Sequence, residues 1–287
     1  MVPGRIWALT VATMISFSAN QLLCRLALKQ THLDAGTFTL VRLVSGALML
    51  LLLMTMRGSR RMAGDWPSAL VLLGYAVFFS FAYLSLSAGT GALLLFGAVQ
   101  TTMIVRGFVR GERLSAAQSV GAAIALLGLV ILVLPGVQAP PAASAVMMAT
   151  AGVFWGVYSL RGHRSSDPVA ETTGNFVRAA AIAVVVSLAF LSQLRPHGLG
   201  VLYAVLSGAG ASGLGYSLWY GALRGLTSVQ AAIVQLSVPI ITALVSVPLL
   251  GERITTRLVF CSVMVLGGIA VFVLTRHPRP SEVARTQ

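Results

Sequence analysis

Within this chain of 287 residues, the side chains with types and spacing suited to chemistry are aromatics and amides. Phe17 and Asn20, Phe79 and Tyr83, Phe96 and Gln100, Trp155 and Tyr158, and Tyr216 and Trp219 lie three or four residues apart. That spacing puts both members of a pair on one helix face. Gln21, Ser159 and Gln235 add polar atoms in the same apolar stretches. Such a set recognises a ligand rather than making bonds. Rings suit a flat apolar group, and amides and hydroxyls can hydrogen-bond an amino and a carboxylate group, as in pockets that are mostly apolar with a few placed polar atoms. A single ring also packs between helices or faces lipid, so the aromatics admit both readings. An amide in lipid costs free energy without a partner. Asn20, Gln100 and Gln235 therefore need a ligand or a neighbouring helix.

Bond-making chemistry is poorly supplied. The seven acidic residues, Asp34, Asp65, Glu112, Asp167, Glu171, Glu252 and Glu282, all lie at or near the breaks between apolar stretches. So do His32, His163, His197 and His277. Cys24 and Cys261 are isolated in apolar sequence and read as small buried hydrophobes. No metal-ligand spacing and no glycine-rich phosphate loop beside the single lysine, Lys29, is present. We expect no enzyme, no cofactor and no metal. A carrier of cationic drugs coupled to protons needs a carboxylate deep in the membrane. Its lack points to a neutral or zwitterionic substrate, and to a facilitator driven by the substrate's own gradient.

The elements that would position these residues are membrane helices. The chain is 57% hydrophobic and 9% charged, with mean hydropathy +0.88. Apolar runs of about 20 residues, enough to cross a bilayer core of about 30 Å, recur along its length. They lack the period of two expected of a membrane β-barrel. Ten spans are predicted, over residues 6–28, 35–56, 66–87, 90–109, 115–134, 142–161, 170–193, 198–222, 227–249 and 255–275. The first resembles a signal peptide at its start, yet its apolar run is too long and continues into a repeated segment. Trp7 and Trp66 open spans, as interfacial anchors do.

Net charge +13 is spread singly or in small groups between apolar runs, and without a contiguous basic face nucleic-acid binding is a poor second reading. With the N-terminus inside, thirteen Lys and Arg fall on the inner side and four on the outer. Both termini are therefore expected in the cytoplasm, in a bacterial inner membrane.

The tripeptide Gly-Glu-Arg occurs twice, in "VRGERLS" (109–115) and "LLGERIT" (249–255). At that offset Ala92 meets Ala232, Thr102 meets Thr242 and Gly128 meets Gly268; Arg25 meets Arg161 and Arg42 meets Arg178 at a nearby offset. Two five-helix units follow, residues 1–138 and 139–276, with a disordered cytoplasmic tail at 277–287. Five is odd, so the second unit is inverted, an arrangement used for alternating access. Glu112 and Glu252 would each pair with an arginine and cap the turn into the next helix, as scaffold or gate latch.

The chain resembles the ten-helix branch of the drug/metabolite transporter superfamily. The elements that carry the likeness are "FSANQLLCR" (17–25) with "FWGVYSLR" (154–161), "LVRL" (40–43) with "FVRA" (176–179), and "RGERLS" (110–115) with "LGERIT" (250–255). A proline usual in the fourth helix of a repeat stands only in the second copy, as Pro239; Val99 holds that place in the first. The resemblance implies a small-metabolite carrier, nearest to bacterial exporters of aromatic amino acids. It implies structural or gating roles at the two mouths for Arg25, Arg42, Arg161 and Arg178. Snorkelling to the interface is the alternative, favoured for Arg161.

The expected protein is thus an all-α, multi-pass exporter of aromatic or other apolar amino acids and related metabolites. Its partners are a neutral or zwitterionic small molecule and the bilayer, with no nucleic acid, as a monomer or homodimer. Phe17, Asn20, Gln21, Phe79, Tyr83, Phe96, Gln100, Trp155, Tyr158, Ser159, Tyr216, Trp219 and Gln235 are the candidate substrate residues. Pro239 is the candidate hinge, because it leaves the Gln235 carbonyl without its helical donor, and Pro248 repeats the break. The glycine run "SGAGASGLG" (207–215) serves packing, or lets its span flex. Gly121, Gly128, Gly267 and Gly268 mark spans 5 and 10 as scaffold or dimer contact. The alternatives are a multidrug or nucleotide-sugar carrier and, in another class, a lipid-handling membrane subunit. Placement of the arginines at the edges counts against phosphates.

Overall fold

A computed structural model of the chain describes residues 3–58, 61–109, 111, 114–136, 138–162, 167–189, 194, 196–223, 225–226 and 228–275. Every regular element among them is helical. The first half contains α1 (Pro3–Gln30), α2 (Ala35–Met56), α3 (Trp66–Ala82), α4 (Ala88–Val109) and α5 (Ala116–Val133). The second contains α6 (Ala142–Gly162), α7 (Pro168–Ala189), α8 (Gly198–Val205), a π-helical segment (Leu206–Leu214), α9 (Gly215–Leu223), α10 (Ser228–Gln235), α11 (Ser237–Leu250) and α12 (Thr256–Leu274). Among the described residues, nine helical stretches are long and apolar enough to cross a bilayer, and α3 is a shorter apolar helix of 17 residues. At 1.5 Å per residue α3 is about 25 Å long, at the lower end of what spans.

Polar side chains set several helix starts. Asp34 and Asp65 accept the backbone N–H of Thr37 and Ser68, each at 2.7 Å. Ser115 and Gln118 form a reciprocal capping box on α5, and Thr255 caps α12. Each cap satisfies a backbone donor that the helix leaves over. Within the apolar helices, Thr10, Thr13, Thr31, Thr39 and Ser80 donate to the carbonyl four residues back. That settles their hydroxyls where no bulk water is available.

The structure corrects the expected spans in three places. The third ends at Ala82 rather than 87, because the Tyr83 and Leu84 carbonyls turn outward to accept from Arg25. The eighth holds nine residues of π-helix across its glycine run. The ninth is interrupted at Leu236, between α10 and α11, three residues before Pro239, whereas α11 continues through Pro248 to a left-handed Gly251. Helix α4, with Val99 in place of a proline, is unbroken. Glu112 and Arg113 of the first repeated tripeptide, and Arg110 before it, lie outside the described residues, as does the tail 277–287.

Helix α5 packs on α12, α3 on α6 and α7, α4 on α6 and α11, α2 on α7 and the π segment, and α1 on α9 and α11. Glycine sets the closest approaches. A Cβ at Gly121 would stand 2.6 Å from the Gly268 carbonyl across the α5–α12 seam, so these glycines join the two helices to each other. A Cβ at Gly208 would collide with the Arg42 carbonyl and the Ser45 hydroxyl of α2. A Cβ at Gly210 would meet nothing within 4 Å.

Gly208→Val is therefore expected to lower stability by about 1–3 kcal/mol through overpacking, read as a lower Tm in detergent micelles. Gly210→Ala should leave Tm within experimental scatter. Equal Tm for both variants would remove the Gly208 contact as a determinant of the fold.

Candidate functional site

Helix α3 runs between two ion pairs. At its start Arg161 Nη2 donates to Asp65 at 3.1 Å, and Arg161 Nε donates to the Ser68 hydroxyl at 2.8 Å. Partial burial pushes the Asp65 carboxyl up, but hydrogen bonds from Ser68 and the Arg161 guanidinium outweigh it and leave the group below the usual carboxylate range. At the other end Arg25 Nη1 donates to the Tyr83 carbonyl at 2.8 Å, and its Nε donates to Glu252 Oε1 at 3.0 Å. The second oxygen of Glu252 accepts the Ala88 N–H at 2.7 Å, at the start of α4. The two pairs differ in exposure: 11% and 6% for Arg25 and Glu252, against 43% and 53% for Arg161 and Asp65. Arg161 is thus half exposed and hydrogen-bonded to the start of α3. Glu252 does pair with an arginine, yet the helix start it caps is α4, since Thr255 serves α12.

Midway between these ends lies a cavity of about 20 Å³, room for about one water. Phe17, Asn20 and Gln21 of α1, Tyr75 of α3, Phe96 of α4, Trp155 of α6, Ser212 of the π segment and Tyr216 of α9 are its main lining. Trp155 is central: its ring lies 5.0 Å from both Tyr75 and Tyr216, and 5.6 Å from Tyr158. Phe17 meets Tyr216 edge-on at 6.1 Å. Ring pairs of this kind contribute about 0.5–1.5 kcal/mol each beyond their burial.

Polar atoms converge on one side of these rings. The Asn20 amide donates to the Tyr75 hydroxyl at 3.4 Å and accepts from Ser207 at 2.7 Å. Arg42 Nη2 donates to the same Tyr75 hydroxyl at 3.0 Å. The Tyr83 hydroxyl donates to the Gln21 carbonyl oxygen. The Ser212 hydroxyl is buried without a hydrogen-bond partner. No carboxylate is among the lining residues, and among the described residues no acidic or Cys/His cluster could hold a metal ion.

Of the thirteen expected substrate residues, the cavity collects Phe17, Asn20, Gln21, Phe96, Trp155 and Tyr216. Phe79 stands behind Tyr75, 5.4 Å between ring centres, and Tyr83 packs on Phe79 toward the Arg25 end. Gln100 is buried one turn beyond Phe96. Trp219 packs on Phe17 at 5.9 Å. Ser159 and Gln235 donate to carbonyls of their own helices, those of Trp155 and Ala231. Tyr158 faces a smaller cleft of about 10 Å³ with Glu171, Asn175 and Tyr220, and its hydroxyl accepts from Asn175 at 3.4 Å. Pro239 is buried in α11, where the Ser18 hydroxyl reaches the neighbouring Val238 carbonyl at 3.4 Å.

Four participants escape the sequence reading. Tyr75 precedes Phe79 by four residues and so continues the Phe79–Tyr83 face, a signal that was there to use. Arg42 reads as an edge residue, but it is 1% exposed, the largest fully buried side chain among the described residues. Its sequence mate Arg178 instead reaches the Ala63 carbonyl at 3.0 Å and lies over Trp66. Ser207 and Ser212 are five residues apart, a spacing that splits them in an α-helix and gathers them in a π-helix, whose bonds run i to i+5.

Comparison with known proteins agrees with this architecture. The profile of the EamA-like transporter family matches residues 142–274. An uncharacterized protein of Pseudomonas aeruginosa is 52% identical over 283 residues, covering 97% of this chain and 98% of its own length. A probable terminal-alkyne amino-acid exporter of Streptantibioticus cattleyicolor is 28% identical over 188 residues, 62% of this chain and 61% of the relative. A crystal structure with 23% identity superposes at a TM-score of 0.65, covering 93% of this chain and 99% of the other, which shows a shared fold. The chain belongs to the EamA-like transporter family of the drug/metabolite transporter superfamily. It is a multi-pass membrane transporter and not an enzyme.

The buried latch gives a direct test of the site's frame. Glu252→Gln leaves the Arg25 guanidinium buried without its counter-charge, and breaking such a pair costs about 3–5 kcal/mol. A strong drop in Tm is expected, while Asp65→Asn at the exposed pair should cost less than about 1 kcal/mol. Unchanged stability and flux in Glu252→Gln would remove the latch role.

Proposed function

We propose that this EamA-like transporter is an inner-membrane exporter of aromatic or other apolar amino acids and related small metabolites. The observation that carries the reading is the central cavity: five rings around a small polar group, midway between two ion-paired ends. Rings receive a flat apolar side chain, and Asn20, Gln21, Tyr75 and Ser212 supply hydrogen bonds to its polar end. A relative whose name gives it as a probable amino-acid exporter supports the same class. A cavity lined without a carboxylate argues against organic cations.

The mechanism follows from size and closure. A cavity for about one water does not hold an amino acid, so the helices must part for the substrate to enter. Alternating access between two inverted five-helix units, residues 1–138 and 139–276, accounts for this with both termini in the cytoplasm. Reciprocal packing supports it: α4 on α6 answers α11 on α1, α3 on α6 answers α9 on α1, and α5 meets its mate α12. Rocking one unit against the other would open one end as the other closes. The interruption at Leu236, three residues before Pro239, breaks the helix between α10 and α11 and suits a hinge.

Purified protein in liposomes is expected to carry labelled phenylalanine, tyrosine and tryptophan down their gradients without an imposed proton gradient. Trp155→Ala, which removes three ring contacts of about 0.5–1.5 kcal/mol each, should raise KM about tenfold with its fold intact. A panel in which organic cations move and no amino acid does would overturn the assignment.

A further inference from the structure

The polar side of the cavity is rich in donors and has no anion. Arg42 is always protonated, and its Nη1 is buried without a hydrogen-bond partner. Its guanidinium carbon lies 5.0 Å from the Tyr75 ring centre and 4.8 Å from that of Phe79. Those rings offset part of its charge but accept none of its N–H groups in the plane. No ion pair with a carboxylate is formed by Arg42 among the described residues. The Tyr75 hydroxyl accepts twice, from Asn20 and from Arg42, and no hydrogen bond among the described residues uses its own proton. The Ser212 hydroxyl on the cavity wall is also without a partner. A lone cation inside a membrane bundle is costly, and two unused hydroxyl protons on the cavity wall, with the Arg42 guanidinium bonded to Tyr75 behind it, ask for one acceptor that carries negative charge.

We infer that the cavity selects a carboxylate, held by Tyr75 and Ser212 with Arg42 as its counter-ion, and that the substrate's amino group is dispensable. The class carried is then aromatic carboxylates, of which aromatic amino acids are one kind. The inference rests on the reading of this cavity as the substrate site. Asn20, tied between Tyr75 and Ser207, holds the tyrosine hydroxyl in place. Because no carboxylate lines the cavity, an ammonium group gains nothing there to match what the carboxylate gains from Arg42.

The test is ligand binding to the purified full chain in detergent, read by thermal shift and tryptophan fluorescence. The probes are hydrocinnamate, phenylalanine, phenylalaninamide and phenethylamine. Hydrocinnamate and phenylalanine should bind at least about tenfold more tightly than the amide and the amine, as expected for a charge-assisted bond. Arg42→Gln should abolish that preference and Arg42→Lys keep part of it. Tyr75→Phe, which leaves the core filled, should reduce it severalfold and decides the matter if Arg42→Gln does not fold. Amine or amide binding as tight as hydrocinnamate, or a preference unmoved in Tyr75→Phe and Arg42→Gln, overturns the inference. Hydrocinnamate binding without amino-acid flux sinks the amino-acid reading alone. Amino-acid flux with no preference for the carboxylate sinks the inference alone.

Discussion

The Arg25–Glu252 pair is the interaction on which the frame depends. In hydrocarbon a guanidinium and a carboxylate each require acceptors or donors from the protein itself, and here each serves more than the other. Arg25 also takes the last free carbonyls of α3, and Glu252 takes a free N–H at the start of α4. Lys29 adds a bond to the Leu250 carbonyl at 3.3 Å. One ion pair thus ties α1, the end of α3, the start of α4 and the turn after α11. Of these, α1, α3 and α4, together with α6, the π segment and α9, supply the cavity.

The cavity inherits its character from that frame. The ion pair at the Arg25 end is buried, and the one at the Arg161 end is half exposed. Between them the rings touch one another and leave room for about one water. Trp155 stacks on Tyr216 where a flat substrate would lie, so the protein's own rings occupy the apolar part of the proposed site in this closed form. The π segment matters in the same way. Gly208 lets the segment itself approach the backbone of α2 at Arg42, and its wider turn brings Ser207 and Ser212 to the polar side. Such π-helical segments are rare and frequently mark functional sites.

What could be read in advance follows from which forces are local. Helix positions were legible because each needs only its own apolar run and a capping residue such as Asp65 or Thr255. The importance of Asn20 was legible because an amide in lipid has few places to go, and Glu252 was conspicuous as one of very few charges. Partners across the bundle were not legible. Nothing near Glu252 in the sequence names Arg25, which is 227 residues away. Arg42 looked like a residue of the mouth, since its position eight residues into α2 does not reveal that α7 and the π segment cover it. Ser207 and Ser212 were hidden by an assumption of α-helical geometry. Gln235 shows the reverse: its amide, a strong candidate by cost, is satisfied within its own helix.

The central claim is that one latched, aromatic cavity receives the substrate. Its most direct measurement is the labelling rate of Ser212→Cys, in a background of Cys24→Ala and Cys261→Ala, by a membrane-impermeant thiol reagent in proteoliposomes. The cavity account predicts slow labelling in the closed protein, faster labelling when Glu252→Gln releases the latch, and slower labelling again with saturating phenylalanine. A rate indifferent to both the latch and the substrate would contradict it.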